Sequence, residues 1–521
     1  MTEHKPTDRP PIHHQRFNFA NVHDRHQPIP LLETELIRRD AVGVHANVVV
    51  FGAADRQRLH VEHHDFRVSA VWIEHKPCHE CSAAAAGYSH HCCDVNPTAK
   101  KFSPFLALSH AAPIIPPVNS ARQLVAALPC LLATAFADNW PAWRGPLGTG
   151  ICDEKNLPTV WSTNQNVKWR VPLPEPGNST PVIWGDRVFL TQPAGDRRTL
   201  ICFQRADGKL LWQVGVTSRE KERTHKTNPY CSASPVTDGE RIIVSFASDG
   251  LYCYDFNGKE LWHRTDLGRQ VHIWGNASSP VIHSNLCFLN FGPGETTYLL
   301  AVDKRTGKTI WRHNEPNGYG KPSHDTRNPY FVGSWTTPVL MQNQLLMSWP
   351  RRFAAYDPPT GKELWSCAGL TPLCYTSPIY SDGLAVALGG FSGVALAVRA
   401  GERVWSHPRS PQRIGSGVIH NGHIYIHNDP GTAMCLDLKT GENVWTEPLK
   451  GGVNWSSVML ADGLCYTITQ RGECFVFKAS PKFELVAVNY LGEPSNSSIA
   501  PSRGDLFIRT HKALWCIGAK R

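Results

Sequence analysis

Two stretches of the chain repeat an unusual grouping. "ERTHKTNPYCSASPV" (222–236) and "PSHDTRNPYFVGSWTTPV" (322–339) each place a histidine shortly before Asn-Pro-Tyr, at 228–230 and 328–330. Between them lies "GRQVHIWGNASSPV" (268–281). These segments supply His225, Lys226, Asn228, His272, Asn276, His324, Asp325 and Arg327, and Arg413 follows later. Trp274, Trp335 and Trp455 add flat faces. Imidazoles, a carboxylate and a guanidinium beside indoles suit a polar planar or anionic ligand. Each histidine taken alone is expected to be a hydrogen-bonded loop residue. The Asn-Pro-Tyr repeats equally fit a fixed turn shape, and Trp274 and Trp335 equally fit packing between repeats. No residue is assigned a catalytic role. A three-histidine metal site is not expected, because spacing across separate repeats does not define a ligand geometry.

Other chemistry is sparse. "CHEC" (Cys78, Cys81) precedes "HHCC" (His90, His91, Cys92, Cys93), but the second pair is adjacent, which is poor geometry for one tetrahedral zinc. There is no C-x-x-C-H for covalent haem. Nor does a nucleophile elbow, P-loop or dinucleotide fingerprint occur in a fitting context.

The elements that would position these residues come from a repeat. One phrase, "STPVIWGDRVFLTQ" at 179–192, recurs eight times, 39 to 58 residues apart, ending with "SSIAPSRGDLFIR" at 497–509. A second follows each early copy, as in "LYCYDFNGKELW" (251–262) and "AMCLDLKTGENVW" (433–445), with a worn version at 474–486. Each unit holds about four short alternating runs, the pattern of half-buried strands. Four-stranded units at this period predict a β-propeller. In "T-G-K" the glycine takes a positive φ at a hairpin turn, and Asp255, Asp303, Asp357 and Asp437 are placed to accept bonds from the turn amides. The tryptophan after each turn falls on the outer strand, where its ring docks against the neighbouring blade. The chain ends in "ALWCIGAKR" (513–521) without an outer strand, and "NVKWRV" (166–171) is an outer strand without its blade. Joining them predicts an all-β, eight-bladed propeller closed by both termini, with no free sheet edge left by an open array.

The first third reads differently. Residues 1–119 hold 14 of the 25 histidines and show little periodicity, apart from a strand-like "AVGVHANVVVFGA" (41–53). "SARQLVAALPCLLATAFADNW" (120–140) has the parts of an export signal: Arg122, an apolar run from Leu124 to Ala135, and Ala135-Phe136-Ala137 before Asp138. The run is shorter than the roughly 20 residues that span a bilayer. The expected organisation is therefore a His-rich extension (1–119), a signal-like segment (120–137), a linker (138–165) and the propeller (166–521). A signal so far into the chain is explained if translation begins near residue 118. The competing explanation is a genuine His-rich tail.

Formal charge is 53 − 44 = +9, with no basic run or aromatic-interleaved basic patch, so nucleic acid is not expected. Of 16 cysteines, 11 follow Asp138, an odd number that leaves at least one unpaired; most are read as small core residues.

The phrase A-x-D-x-x-T-G-K-x-x-W resembles the PQQ-like repeat, the blade motif of quinoprotein dehydrogenases and their non-enzymatic relatives, over 166–521. "NWPAWRGP" (139–146) is similar to exported members of planctomycete type. The resemblance implies one of two activities: oxidation of alcohols or sugars with pyrroloquinoline quinone and calcium, or a protein-binding scaffold. The dehydrogenases carry an adjacent Cys-Cys disulfide and an acidic calcium set, and 138–521 has no adjacent cysteine pair and no matching acidic cluster. The resemblance therefore carries the blade but not the catalytic residues, and leaves quinone and calcium without a full motif. The expectation is an exported, periplasmic, monomeric scaffold binding a protein or small polar ligand, with a divergent quinone-dependent dehydrogenase as the alternative.

Overall fold

A computed structural model describes residues 139–519 except 295, 316–331, 391–392 and 410–413. Towards the N-terminus it describes four strands, in a unit separate from the rest. Asn47–Ala53 pairs antiparallel with Arg56–His63, which also pairs with Phe66–Arg67 and Val71–Trp72. The signal-like segment, the Cys78–Cys93 cluster, His324, Asp325, Arg327 and Arg413 lie outside the described residues.

The main unit is a ring of eight antiparallel four-stranded blades. In order they occupy 182–217, 236–264, 281–314, 339–368, 379–407, 418–448, 459–490 and 500–517. The last blade is completed by Val167–Pro172, paired from Ala513 opposite Pro172 to Ile517 opposite Val167. Both termini thus close the ring, as the sequence predicts. Among the described residues no helix is long and apolar enough to cross a membrane.

Six of the eight outer seams follow one rule, while Trp365 on blade 4 donates to Gln344 Oε1 of its own blade at 2.9 Å. Trp169, Trp212, Trp262, Trp311, Trp405 and Trp445 each donate an indole N–H, at 2.8–3.0 Å, to a backbone carbonyl of the next blade. The Trp262 ring lies on the Gly307 turn, where φ is +72° and an added Cβ would sit 2.6 Å from the ring. That glycine is required twice, for its left-handed backbone and for the close approach of the indole. Gly361 and Trp311 repeat the arrangement one blade on. The turn aspartates behave as expected: Asp437 Oδ1 accepts the amides of Lys439 and Thr440 at 2.8 and 2.9 Å. Blade 7 has no outer-strand tryptophan. There Trp161, from the N-terminal segment, is buried with Cys474 and Val476, and its backbone N–H donates to Asn489 Oδ1 at 2.8 Å.

The segment expected as a linker is built into the ring. Trp140 exchanges two backbone bonds of 2.9 Å with Ile183 on blade 1, and Thr237 N on blade 2 donates to Pro141 O at 2.9 Å. Ile151–Cys152 pairs parallel with Leu460 and Ala461, the innermost strand of blade 7. Arg144 is fully buried and donates to the carbonyls of Gly148, Thr149 and Gly417. Burial lowers its pKa to about 9.

All eleven cysteines from Cys152 onward are free thiols, ten of them buried. Burial raises Cys202 to about 11 and Cys253 to about 12, so these thiols are inert core atoms.

Candidate functional site: an aromatic and amide cavity at the channel mouth

Each blade begins with a Ser or Thr before its innermost strand. These eight residues form a closed circle of hydrogen bonds. The N–H of Thr180 donates to Ser234 Oγ, Ser234 to Ser279, Ser279 to Thr337 and Thr337 to Ser377. Ser377 continues to Ser416, Ser416 to Ser457, Ser457 to Ser498, and Ser498 returns to Thr180. All eight distances lie between 2.8 and 3.1 Å. Each hydroxyl acts as an acceptor in the circle, which leaves its own hydrogen over as a donor.

A cavity of about 600 Å³ opens at this circle. Ser279, Thr337, Ser457 and Ser498 line it, and Trp143 enters from the N-terminal segment. The residue two positions before each circle member also lines it, on all eight blades: Asn178, Ser232, Ala277, Trp335, Tyr375, Ile414, Trp455 and Asn496. Period-two alternation of extended chain puts these residues on the same face as the hydroxyls. The lining is two-sided. Blades 4 to 7 contribute Trp335, Tyr375, Ile414 and Trp455, whereas blades 8, 1, 2 and 3 contribute Asn496, Asn178, Ser232 and Ala277.

Local structure holds the aromatic wall. Gly333–Ser334 pairs parallel with Leu373–Cys374, which brings Trp335 and Tyr375 into a stack with centroids 5.0 Å apart. The Trp335 indole donates to Gly275 O at 2.8 Å and meets the His272 ring edge-on at 4.8 Å. Trp455 follows Asn454, whose amide is fixed on His427 O at 2.8 Å and Ser456 O at 3.0 Å. Trp274 packs against the His225 ring at 4.4 Å, and its carbonyl accepts from Asn228 Nδ2 at 2.6 Å. On the polar side, Asn178 and Asn496 both donate to Thr227 O, at 2.9 and 3.0 Å. The indole N–H groups of Trp274 and Trp455 and the Oδ1 of Asn178 are buried with no hydrogen-bond partner.

Of the residues singled out in the sequence, Asn228, Trp274, Trp335 and Trp455 line the cavity. His225 and His272 stand behind it, each against a lining indole. Asn276 donates to Gly292 O at 2.8 Å outside the lining, and Lys226 is exposed. Burial lowers His272 to about 4, and burial followed by the nearby Lys226 lowers His225, so both imidazoles are neutral at pH 7. Trp143, Asn178, Thr227, Tyr375 and Asn496 were not singled out. For Asn178, Tyr375 and Asn496 the sequence does carry a signal: they stand two residues before the repeated Ser/Thr.

The described lining contains no carboxylate, guanidinium, ammonium or imidazole. No cluster of three or more His, Cys, Asp or Glu able to hold a metal occurs among the described residues. Calcium takes hard oxygen ligands, carboxylates above all, and a tricarboxylate is recognised through cations. These residues do not fit a quinone–calcium pair.

A family profile described as outer membrane protein assembly factor BamB matches residues 158–300, 295–417, 374–447 and 397–480. Tetrathionate hydrolase of Acidithiobacillus ferrooxidans is 21% identical over 189 residues, which cover 36% of this chain and 32% of that protein. The chain therefore spans about a third of the length of that curated relative. Among solved structures, a europium-containing methanol dehydrogenase is 13% identical with a TM-score of 0.56, covering 71% of this chain and 89% of that one. The quinohemoprotein alcohol dehydrogenase of Comamonas testosteroni is 13% identical with a TM-score of 0.55, covering 75% and 82%. At such identities the likeness is one of fold.

Proposed function

From the premise that this chain belongs to the PQQ-like repeat family of the outer membrane protein assembly factor BamB, we propose that it is an exported propeller that binds a ligand or protein at its channel mouth without catalysing a reaction. The family spans scaffolds and dehydrogenases, so the site must decide between them. The observation that carries the reading is the described lining of the cavity, aromatic, amide and Ser/Thr side chains with no charged group among them. A dehydrogenase needs a base within reach of the substrate hydroxyl, and the described lining offers none. The signal-like segment before Asp138 supports export to the periplasm, where the chain acts as a monomer.

The test is a titration of the full chain with pyrroloquinoline quinone and calcium, following quinone absorbance and dye reduction with alcohols and sugars. The expected result is neither saturable binding nor turnover. Saturable quinone binding with turnover would replace this reading with a divergent dehydrogenase.

A further inference from the structure

The walls of the cavity define what fills it. Its volume, about 600 Å³, lies inside the roughly 300–1,000 Å³ usual for small-molecule sites. An anionic ligand calls for a cation, and the described lining provides none. A cationic ligand calls for a carboxylate, and the described lining provides none of those either. A wholly apolar ligand would strip water from the Ser/Thr hydroxyls and the asparagines without replacing its hydrogen bonds. The remaining class is an uncharged molecule with an apolar face and a hydroxyl-rich edge.

That is the shape of the wall. Trp335, Tyr375 and Trp455 give flat apolar surface on one side. Asn178, Asn496 and Ser232 stand on the other, and the hydroxyl residues Ser279, Thr337, Ser457 and Ser498, from blades 3, 4, 7 and 8, line the cavity as well. Those four hydroxyls accept backbone N–H groups in the circle and keep their hydrogens as donors towards a ligand oxygen. A pyranose ring matches both sides: its C–H face packs on an indole, and each of its hydroxyls both gives and accepts a hydrogen bond.

We infer that the cavity binds a short, uncharged oligosaccharide, stacked on the blade 4–7 aromatics and hydrogen-bonded along the blade 8–3 edge. The inference rests on the reading of the mouth as a binding site. The sugar is held and leaves unchanged, so no bond is made or broken.

The experiment is isothermal titration of the full chain with cellotriose, maltotriose and chitotriose, at low and at high salt, with trigalacturonate as the anionic control. Trp455→Ala and Trp455→Phe are titrated alongside, after urea denaturation has shown each to be folded. The expected result is saturable binding of at least one neutral trisaccharide, unchanged by salt. Affinity should fall about tenfold or more in Trp455→Ala, near 1.4 kcal/mol, and largely return in Trp455→Phe. No saturable binding of any neutral trisaccharide would overturn the inference. Binding that Trp455→Ala leaves untouched, or preference for the charged control, would overturn it as well. Those outcomes leave the non-catalytic scaffold standing, because that reading fails only if the quinone titration shows binding with turnover.

Discussion

The outer seams and the channel mouth are both built from tryptophan, and they use it differently, except that Trp335 at the mouth also donates its N–H to a backbone carbonyl. At six seams the indole N–H ends on a carbonyl of the next blade, and the ring lies against that blade. At the mouth, Trp274 and Trp455 line a cavity and their N–H groups have no partner. A missing partner alone does not mark a site. Trp140 lacks one too, but it is 2% exposed inside a hydrophobic cluster. What sets the mouth apart is indole surface facing open volume. Seam tryptophans hold the ring together, whereas mouth tryptophans present a surface.

This contrast can be broken at several points. The largest expected effect is at a seam. Trp262→Ala should cost about 3–5 kcal/mol, since a buried indole leaves a cavity between blades. Urea denaturation measures it, and a loss below about 1 kcal/mol would deny the seam its structural role. Acid comes next. His272 titrates at about 4 in the folded chain because burial disfavours its charge, whereas a free imidazole titrates near about 6.5. Between those values the unfolded chain binds more protons, so its contribution is complete above about pH 6.5 and is lost as pH falls towards 4. Denaturation at pH 7 and at pH 4.5 should differ by about 2–3 kcal/mol from this residue, and His272→Phe should flatten the slope.

Gly307→Ala should cost about 1–3 kcal/mol, because the new methyl meets the Trp262 ring and a left-handed backbone at once. In the Trp262→Ala background the steric part should vanish while the backbone part remains. The smallest stability effect is in the circle. Ser457→Ala removes the acceptor of the Ser416 N–H and should cost about 1 kcal/mol. Amide exchange at Ser416 reports it directly, since that proton should exchange faster in the variant while distant blades are unchanged.

The blades were legible because their physics repeats. A turn aspartate, a left-handed glycine and a docking tryptophan recur in most blades, so eight copies and the terminal closure followed from counting. The worn copy at 474–486 marked the one seam without its own tryptophan, but nothing local announced that Trp161 would fill it from more than three hundred residues away in sequence. The mouth was half legible. Trp335 and Trp455 were singled out for being aromatic in polar segments. Asn178, Tyr375 and Asn496 were passed over, although they occupy the same place two residues before the repeated hydroxyl. Histidines drew notice as chemistry-bearing residues, yet burial turns His272 into a neutral support for Trp335. Trp143 was not legible as lining, because only the folded path of 139–152 carries it to the channel.

The most direct test is to measure folding stability and trisaccharide affinity together in Trp262→Ala and Trp455→Ala. The account predicts a double dissociation. Trp262→Ala should lose several kcal/mol of stability, about 3–5, yet bind normally while folded. Trp455→Ala should stay within about 1 kcal/mol of the parent and lose about tenfold or more in affinity. If both variants lose stability and neither changes affinity, the mouth tryptophans are structural like those of the seams, and the trisaccharide does not bind in the cavity.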